Sequence, residues 1–249
     1  MGAALLGGLI NGGWAPVDIM VVELDAAKRA ALSIEFGVRT SDVAVRADGG
    51  LVAVKPPDAA RVCAELATLG VPRMLSIAAG ISVSTLQASA GNAARVVRAM
   101  PNTPALVREG VTAICGSESC DEADFAWAES ILSSVGVVVR VPESQMDAVT
   151  AVAGSGPAYL FLLAESLVAA GISEGLPAGV AEALVRQLFR GAGILLAEST
   201  ESPATLRERV TSPNGTTAAG LAVFEKNHLR ETVHEVVRAA AARSEEMGR

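Results

Sequence analysis

The sequence predicts an α/β domain with a doubly wound sheet, followed by an all-helical domain. In the first half of the 249-residue chain, short apolar runs alternate with amphipathic helical patterns, as they do in parallel sheets that carry helices on both faces. Beyond Pro142 the short runs stop, and long helical segments follow one another, separated by Gly, Pro and Ser/Thr turns. We therefore expect the doubly wound domain over residues 1–142 and the helical domain over residues 143–249.

The apolar runs of the first domain have the length and the residue types of strands. They cover residues 17–22, 51–54, 73–77, 95–99, 111–115 and 137–141. Ala26–Phe36 carries apolar residues at helical spacing, and residues 58–69 follow Pro56 and Pro57, which favour the start of a helix. The second domain is predicted to contain helices over residues 157–170, 177–198, 203–210, 217–226 and 228–247.

The chain begins directly with a predicted helix over residues 1–13, which ends at Gly12 and Gly13. In a doubly wound, Rossmann-like nucleotide-binding domain, a first strand and a glycine-rich turn precede the first helix, and the turn lets a pyrophosphate approach the helix N-terminus. Gly2 fits the final glycine of a Gly-x-Gly-x-x-Gly turn. We therefore expect this domain to be incomplete at its N-terminus and to lack its first strand.

Composition limits the classes of protein to which the chain can belong. Hydrophobic residues make up 51% of the chain and aromatic residues only 3%, and the mean hydropathy is +0.41, which favours a large core and further surface hidden in an oligomer. The net charge of −7 and the absence of a long Lys/Arg cluster argue against nucleic acid as a partner. The cysteines Cys63, Cys115 and Cys120 lack metal-ligand spacing, so we expect reduced thiols and no metal site.

The most apolar stretch, residues 148–172, is predicted not to span a membrane. It is interrupted by a Gly-Ser-Gly-Pro run that starts at Gly154, and by Glu165. The start of the chain also lacks a basic segment ahead of a hydrophobic run, which argues against a secretory signal. We expect a cytoplasmic protein that acts on a small molecule.

Short runs of small and polar residues follow the predicted strands. Ala53-Val54-Lys55-Pro56, Ser76-Ile77-Ala78-Ala79-Gly80 and Ala99-Met100-Pro101-Asn102-Thr103-Pro104 each end a strand, where doubly wound sheets bind ligands. Two further runs open helices in the second domain, Ala153-Gly154-Ser155-Gly156-Pro157-Ala158-Tyr159 and Val210-Thr211-Ser212-Pro213-Asn214-Gly215-Thr216-Thr217. Backbone N–H groups and hydroxyls at such helix starts suit an anion.

In this order, and together with Val107-Arg108-Glu109-Gly110, these runs closely resemble the pyrroline-5-carboxylate reductase family over essentially the whole chain. The resemblance implies an oxidoreductase that reduces 1-pyrroline-5-carboxylate to L-proline, the last step of proline biosynthesis, with NADPH or NADH. It also implies that the helical domain builds a homodimer or a higher dimer-based oligomer. A conspicuous acid/base pair is not expected, because a protonated imine needs mainly a positioned hydride donor and a hydrogen bond at its nitrogen.

The resemblance also assigns site residues. It implies that Ser212, Gly215, Thr216 and Thr217 bind the substrate, and that Thr217 is the catalytic-site residue whose hydroxyl bonds the ring nitrogen. Asn214 replaces the first glycine of the family's turn, and Asn tolerates positive φ better than other non-glycine residues, so the turn is expected to persist. The residues expected to bind the cofactor are Gly2, Glu23, Ala53, Val54, Lys55, Pro56, Ala78, Ala79, Gly80 and Asn102.

The choice between NADH and NADPH depends on the end of the strand before Ala26–Phe36. Glu23 and Asp25 lie there, and an acidic side chain at this position bonds the ribose diol and repels a 2′-phosphate, which favours NADH. Lys28 and Arg29 would offset that repulsion if they turned toward the cofactor. The sequence leaves the choice open.

Two other functions remain as alternatives. One is a related two-domain hydroxyacid dehydrogenase, which the turn over residues 211–217 argues against. The other is a non-catalytic or impaired truncated subunit, because a domain without its first strand would lose a central sheet element and part of its phosphate-binding turn.

Overall fold

The computed structural model describes residues 1–92 and 94–248, and these form two compact units. The first unit contains residues 1–155 together with the residues from Ala240 onward, and the second contains Gly156–Ala239. The predicted domain boundary after Pro142 remains a prediction.

The first unit contains the predicted doubly wound sheet in two parts. Its strands are β1 Met20–Val22, β2 Arg39–Ser41, β3 Gly50–Val52, β4 Arg73–Ser76, β5 Arg95–Met100, β6 Gly110–Gly116 and β7 Gly136–Arg140. Strands β1 and β2 form one parallel pair, and β3 to β7 form a second sheet in sequence order. Among the described residues, β1 pairs with β2 alone and β3 pairs with β4 alone. The expectation that this domain lacks its first strand remains a prediction.

The sheet is not parallel throughout, which corrects the sequence-based expectation of a parallel sheet. Strand β6 runs antiparallel to β5, with Met100 opposite Ala113, whereas β3–β4, β4–β5 and β6–β7 are parallel. The link from Met100 to Gly110 contains only a short 3-10 helix, Thr103–Val107. A parallel crossover needs about a dozen residues or more, so the chain turns back instead.

Among the described residues, the first unit contains five α-helices ahead of β7, and four of them pack on the two faces of the β3–β7 sheet. The five helices are α1 Gly2–Asn11, α2 Ala26–Phe36, α3 Pro56–Thr68, α4 Val83–Ala90 and α5 Glu122–Leu132. Helices α1 and α5 pack through Leu5, Leu9 and Leu132 on the face that carries Leu75 and Val97. Helices α3 and α4 pack through Cys63 and Leu86 on the face that carries Met74 and Val96. Adjacent strand residues thus point to opposite cores, as the alternation of a two-sided sheet requires.

The remaining helices follow β7. They are α6 Met146–Val149, α7 Gly156–Ser173, α8 Ala178–Glu198, α9 Pro203–Arg209, α10 Thr216–Lys226 and α11 Leu229–Met247. All the helices predicted after Pro142 are therefore present. Helix α11 ends in the first unit, because its residues from Ala240 onward pack there.

The predicted interruption of the apolar stretch is wrong at the level of the backbone. A π-helical turn, Thr150–Gly154, absorbs the glycine, and the chain stays helical from Glu143 to Ser173. Pro157 lies in the first turn of α7, where its missing N–H costs little. By length and composition alone this run could cross a membrane. One such helix is only weak evidence for a membrane span. The exposed apolar side chains of α7 include Leu160, Phe161, Leu162 and Leu163.

Candidate functional site

Most of the predicted cofactor residues of the first unit follow β3, β4 and β5, where these parallel strands end. Strands β3, β4 and β5 are in parallel register, Val52 beside Ser76 and Ser76 beside Arg98. The carboxyl ends of parallel strands share one edge of a sheet, which is the ligand edge of doubly wound folds. The segments that begin at Ala53 and Ile77 therefore follow neighbouring strands at one edge.

Gly2 lies beside this edge at the start of α1. A Cβ at Gly2 would lie 3.3 Å from the Cβ of Ala53, so these two predicted cofactor residues are neighbours. No side chain caps the helix start, and its first turn contains no acidic residue. Because the first amides of a helix have no partner within it, this end of α1 can receive an anion.

The segment from Ala53 to Lys55 is exposed, and Pro56 opens α3. Lys55 is the N-cap residue of that helix and makes no side-chain capping bond. Within the described part of the chain, its ammonium group forms no hydrogen bond or ion pair. Lys55 is therefore an unpaired cation among the described residues, two positions after Ala53 at the ligand edge of the sheet.

The segment from Ala78 to Gly80 is the most enclosed part of the predicted cofactor wall, with Ala78 and Gly80 both buried. The buried hydroxyl of Ser76 accepts a hydrogen bond from the Ala78 N–H at 3.3 Å. Gly80 has φ of 75°, a left-handed conformation that favours glycine. The carboxylate of Glu143 accepts from the Val83 N–H and from the Arg98 guanidinium, so it fixes the helix start that follows this segment.

Asn102 is 8% exposed, and both ends of its amide are engaged within the first unit. Its Nδ2 donates to the Ala153 carbonyl at 3.1 Å, and its Oδ1 accepts from the Val111 N–H at 3.0 Å. These bonds join the end of β5, the start of β6 and the π-helical turn. The amide retains one N–H for a ligand, so any contact with a cofactor would come from an already fixed side chain.

Glu23 and Asp25, the acidic residues after β1, make different hydrogen bonds. The Asp25 carboxylate caps α2 by accepting from the amides of Ala27 and Lys28, and these hydrogen bonds hold its pKa below the ordinary value. Glu23 accepts from the Asp25 N–H and keeps its other carboxylate oxygen free. Among the described residues no cation pairs with Glu23.

The Arg29 guanidinium turns back toward the same loop and lies near the carboxylate of Asp42. Its Nη1 donates to the carbonyl oxygens of Glu23 at 2.7 Å and Leu24 at 2.8 Å. Its Nη2 lies 3.9 Å from the Asp42 carboxylate. Arg29 thus stabilises the loop backbone and is partly neutralised by Asp42.

The predicted substrate residues lie in the second unit, in the turn that opens α10. Asn214 has φ of 58°, so it adopts the left-handed conformation expected of the residue that replaces glycine. The Gly215 N–H donates to the Ser212 carbonyl at 3.1 Å, and a Cβ at Gly215 would lie 2.4 Å from the Ser212 Oγ. A side chain at position 215 would therefore displace the Ser212 hydroxyl within the turn.

Thr216 and Thr217 form the exposed first turn of α10. The first backbone bond into this helix is donated by Ala219 to the Gly215 carbonyl, so the amides of Thr216, Thr217 and Ala218 lack an acceptor among the described residues. The two hydroxyls are likewise without protein partners there. This turn presents several N–H and O–H donors and no acidic group, which suits a carboxylate.

The structure thus brings the predicted residues together in two sets. One set, at the edge of the five-stranded sheet of the first unit, contains Gly2, Ala53, Val54, Lys55, Pro56, Ala78, Ala79, Gly80 and Asn102, whereas Glu23 follows β1 of the separate two-stranded sheet. The other, in the turn of the second unit, contains Ser212, Gly215, Thr216 and Thr217. Neither Ser76 nor Glu143 was predicted as a site residue. Ser76 accepts from the Ala78 N–H within the cofactor segment, and Glu143 accepts from the Val83 N–H at the start of the helix that follows it. No group of three His, Cys, Asp or Glu side chains able to hold a metal lies within the described residues.

Comparison with known proteins covers both parts of the chain. A family profile described as pyrroline-5-carboxylate reductase dimerisation matches residues 143–247, and one described as NADP oxidoreductase, coenzyme F420-dependent, matches residues 1–80. A pyrroline-5-carboxylate reductase of Synechocystis is 44% identical over 95% of this chain and 90% of its own length.

Two solved structures extend the similarity to the fold. A pyrroline-5-carboxylate reductase from Coxiella burnetii has a TM-score of 0.94 and 36% identity, covering 100% of this chain and 95% of its own. Pyrroline carboxylate reductase from Plasmodium falciparum, solved with NADP bound, has a TM-score of 0.86 and 30% identity at the same coverage of both chains.

Proposed function

This chain belongs to the pyrroline-5-carboxylate reductase family, and on that basis we propose that it reduces 1-pyrroline-5-carboxylate to L-proline with NADPH or NADH. The observation that carries the proposal is the 44% identity with a reductase over 95% of the chain. The donor-rich turn of α10 supports it, because the substrate is an anion with a cyclic imine. A hydroxyacid dehydrogenase is not favoured by these similarities, and neither is a subunit without catalysis.

The first unit is proposed to hold the cofactor. A nicotinamide dinucleotide, when bound, supplies the hydride. The residues present fit such a group, because Gly2 allows close approach to the uncapped start of α1, where a pyrophosphate would meet free amides. Lys55 offers a charge to ribose or phosphate, and the segment Ala78 to Gly80 offers a fixed backbone wall. Glu23 would bond a ribose hydroxyl.

The second unit is proposed to hold the substrate. Ser212, Gly215 and Thr216 would bind the carboxylate through amides and hydroxyls, and the Thr217 hydroxyl would bond the ring nitrogen. The imine carbon gains a hydride and the nitrogen keeps its proton, so the carbon–nitrogen double bond becomes the single bond of proline. Positioning and charge stabilisation by this turn are then the main contributions of the side chains.

We further propose that the chain forms a homodimer or a higher dimer-based oligomer and acts in the cytoplasm on a small molecule. The exposed apolar side chains of α7 and α8, such as Phe161, Leu184 and Leu188, would then be covered by a second subunit. No contact with nucleic acid or membrane is part of this proposal.

The experiment is a coupled measurement of substrate and product. The purified chain is incubated with pyrroline-5-carboxylate and either NADH or NADPH, and loss of reduced cofactor is followed together with L-proline formed. Equal amounts of proline and oxidised cofactor are expected, and Thr217→Ala is expected to lower the rate. Binding of cofactor without proline formation would instead support the impaired subunit.

A further inference from the structure

The last residues of α11 and the residue that follows them pack against the proposed cofactor wall. The Cβ position of Gly80 lies 3.4 Å from the Met247 Cβ, and the Cβ position of Gly248 lies 2.9 Å from the Gly80 carbonyl oxygen. Both sides belong to the first unit. We call residues 240–248 the C-terminal brace, because Met247 and Gly248 at its end lie against the backbone of Gly80.

One partly buried hydrogen bond anchors the brace. The Ser244 hydroxyl donates to the Asp147 Oδ1 at 2.7 Å, and Ser244 is 5% exposed. The neighbour of Asp147, Met146, is fully buried in a cluster with Val83 and Cys115. The bond therefore ties the brace to a short helix that is itself packed against the sheet and against the start of α4.

Burial of Ala78 in the core and one side-chain hydrogen bond on each side of Gly80 restrain the segment under the brace. Ala78 is held by the long bond to Ser76, and Val83 by the bond to Glu143. Gly80, between them, has a left-handed backbone with no side chain that could pack. Because Gly80 has no side chain, contact with Met247 supplies the packing at this position.

We propose that the C-terminal brace positions the Ala78–Ala79–Gly80 segment for dinucleotide binding, and that Ser244 is its positioning residue. This inference rests on the proposed function, in that this segment walls the cofactor. Loss of the Ser244 hydroxyl leaves Asp147 without its buried donor and releases the end of α11. Gly80 then samples more conformations, and the cofactor has to order the segment when it binds.

The test compares Ser244→Ala with two variants of the full chain. Asp147→Asn keeps an oxygen acceptor for Ser244, and Ser166→Ala removes a hydroxyl that bonds the Leu162 carbonyl within an exposed helix. The Kd for NADH and NADPH is measured by fluorescence titration without substrate. We expect Ser244→Ala to raise the Kd of the preferred cofactor about tenfold, whereas Asp147→Asn stays within about threefold and Ser166→Ala is unchanged.

Hydrogen–deuterium exchange of the free protein supplies a second readout that needs no ligand. We expect faster exchange in the peptide around Ala78 to Gly80 in Ser244→Ala, with little change in the Tm. A wild-type Kd and wild-type exchange in Ser244→Ala would overturn the inference, and so would a fall in Tm with unchanged Kd. If the wild-type chain binds cofactor but makes no proline, only the proposed function fails.

Discussion

Replacement of Glu23 by Gln is expected to shift the choice of cofactor toward NADPH. Glu23 lies half-buried after β1, its carboxylate accepts only the Asp25 N–H, and no cation pairs with it among the described residues. The nearby positive charges interact with other carboxylates. Arg29 lies near Asp42, and the charge of Lys28 lowers the pKa of Asp25. The uncompensated negative charge at the proposed ribose position is therefore that of Glu23.

The size of the effect follows from the environment of that carboxylate. Two unit charges about 4 Å apart repel by about 1 kcal/mol in bulk water and about 4 kcal/mol at an effective dielectric constant of 20. For a half-buried group we take about 2 kcal/mol, which corresponds to about 30-fold in the ratio of kcat/KM for NADPH to kcat/KM for NADH. Glu23→Gln should raise this ratio about 30-fold, partly because the amide also weakens the bond to the ribose diol.

The assay measures kcat/KM for both cofactors at saturating pyrroline-5-carboxylate and at moderate ionic strength, because salt screens the effect. Asp25→Asn is the matched control, since it removes one negative charge from the same loop while the amide oxygen can still cap α2. We expect less than about threefold change in the control. A wild-type enzyme with strong preference for NADPH, or equal shifts in both variants, would refute the reasoning.

Three further predictions test the substrate turn, the subunit interface and the buried thiols. Thr217→Ala should lower kcat/KM by about 10- to 100-fold through loss of a charge-assisted bond, whereas Thr217→Ser should stay within a few fold; equal activity of both variants would remove the hydroxyl from the mechanism. Phe161 is 68% exposed on α7, so Phe161→Glu should lower the mass measured by light scattering if this face joins subunits. Burial raises the pKa of Cys63 and of Cys115 from 9.0 to about 11, so the stability gained by keeping them neutral is complete below pH 9 and falls as pH rises to 11. Urea denaturation at pH 8 and at pH 10.5 should show this loss, and Cys63→Ala with Cys115→Ala should reduce it.

Local signals explain why much of the fold could be predicted. Helix α2 was predicted with its observed bounds, because Asp25 caps its start and Gly37, with φ of 69°, ends it. Strand β2 was not predicted, since Arg39, Thr40 and Ser41 carry no apolar pattern. That strand exists because β1 supplies a ladder partner, which is a tertiary effect.

Two other differences between the prediction and the structure have causes that are visible in the sequence. The antiparallel direction of β6 could have been inferred from the short link between Met100 and Gly110. Helix α5 was not predicted, although Asp121 and Asp124 form a capping box at its start. In the site, Glu143 and Ser244 could not be inferred from local sequence. Their partners, Val83 and Asp147, lie 60 and 97 residues away along the chain.

Helix starts that are proposed to bind a ligand differ from several other helix starts in lacking a side-chain cap. Side chains of Asp25, Ser82, Asp121 and Ser202 cap α2, α4, α5 and α9 by accepting from first-turn amides. Helices α1, α3 and α10 follow instead Met1, Lys55 and Gly215, which make no side-chain cap, and Gly2, Lys55 and Gly215 belong to the predicted cofactor or substrate sets. Helix α8 also begins without a side-chain cap, after Pro177, so a missing cap alone does not identify a site. At α1 and α10, however, glycine allows close approach and the first-turn amides are free to bind an anion. A Ser, Thr or Asp cap there would occupy those amides and compete with the ligand, so the missing caps and the glycines serve the same chemistry.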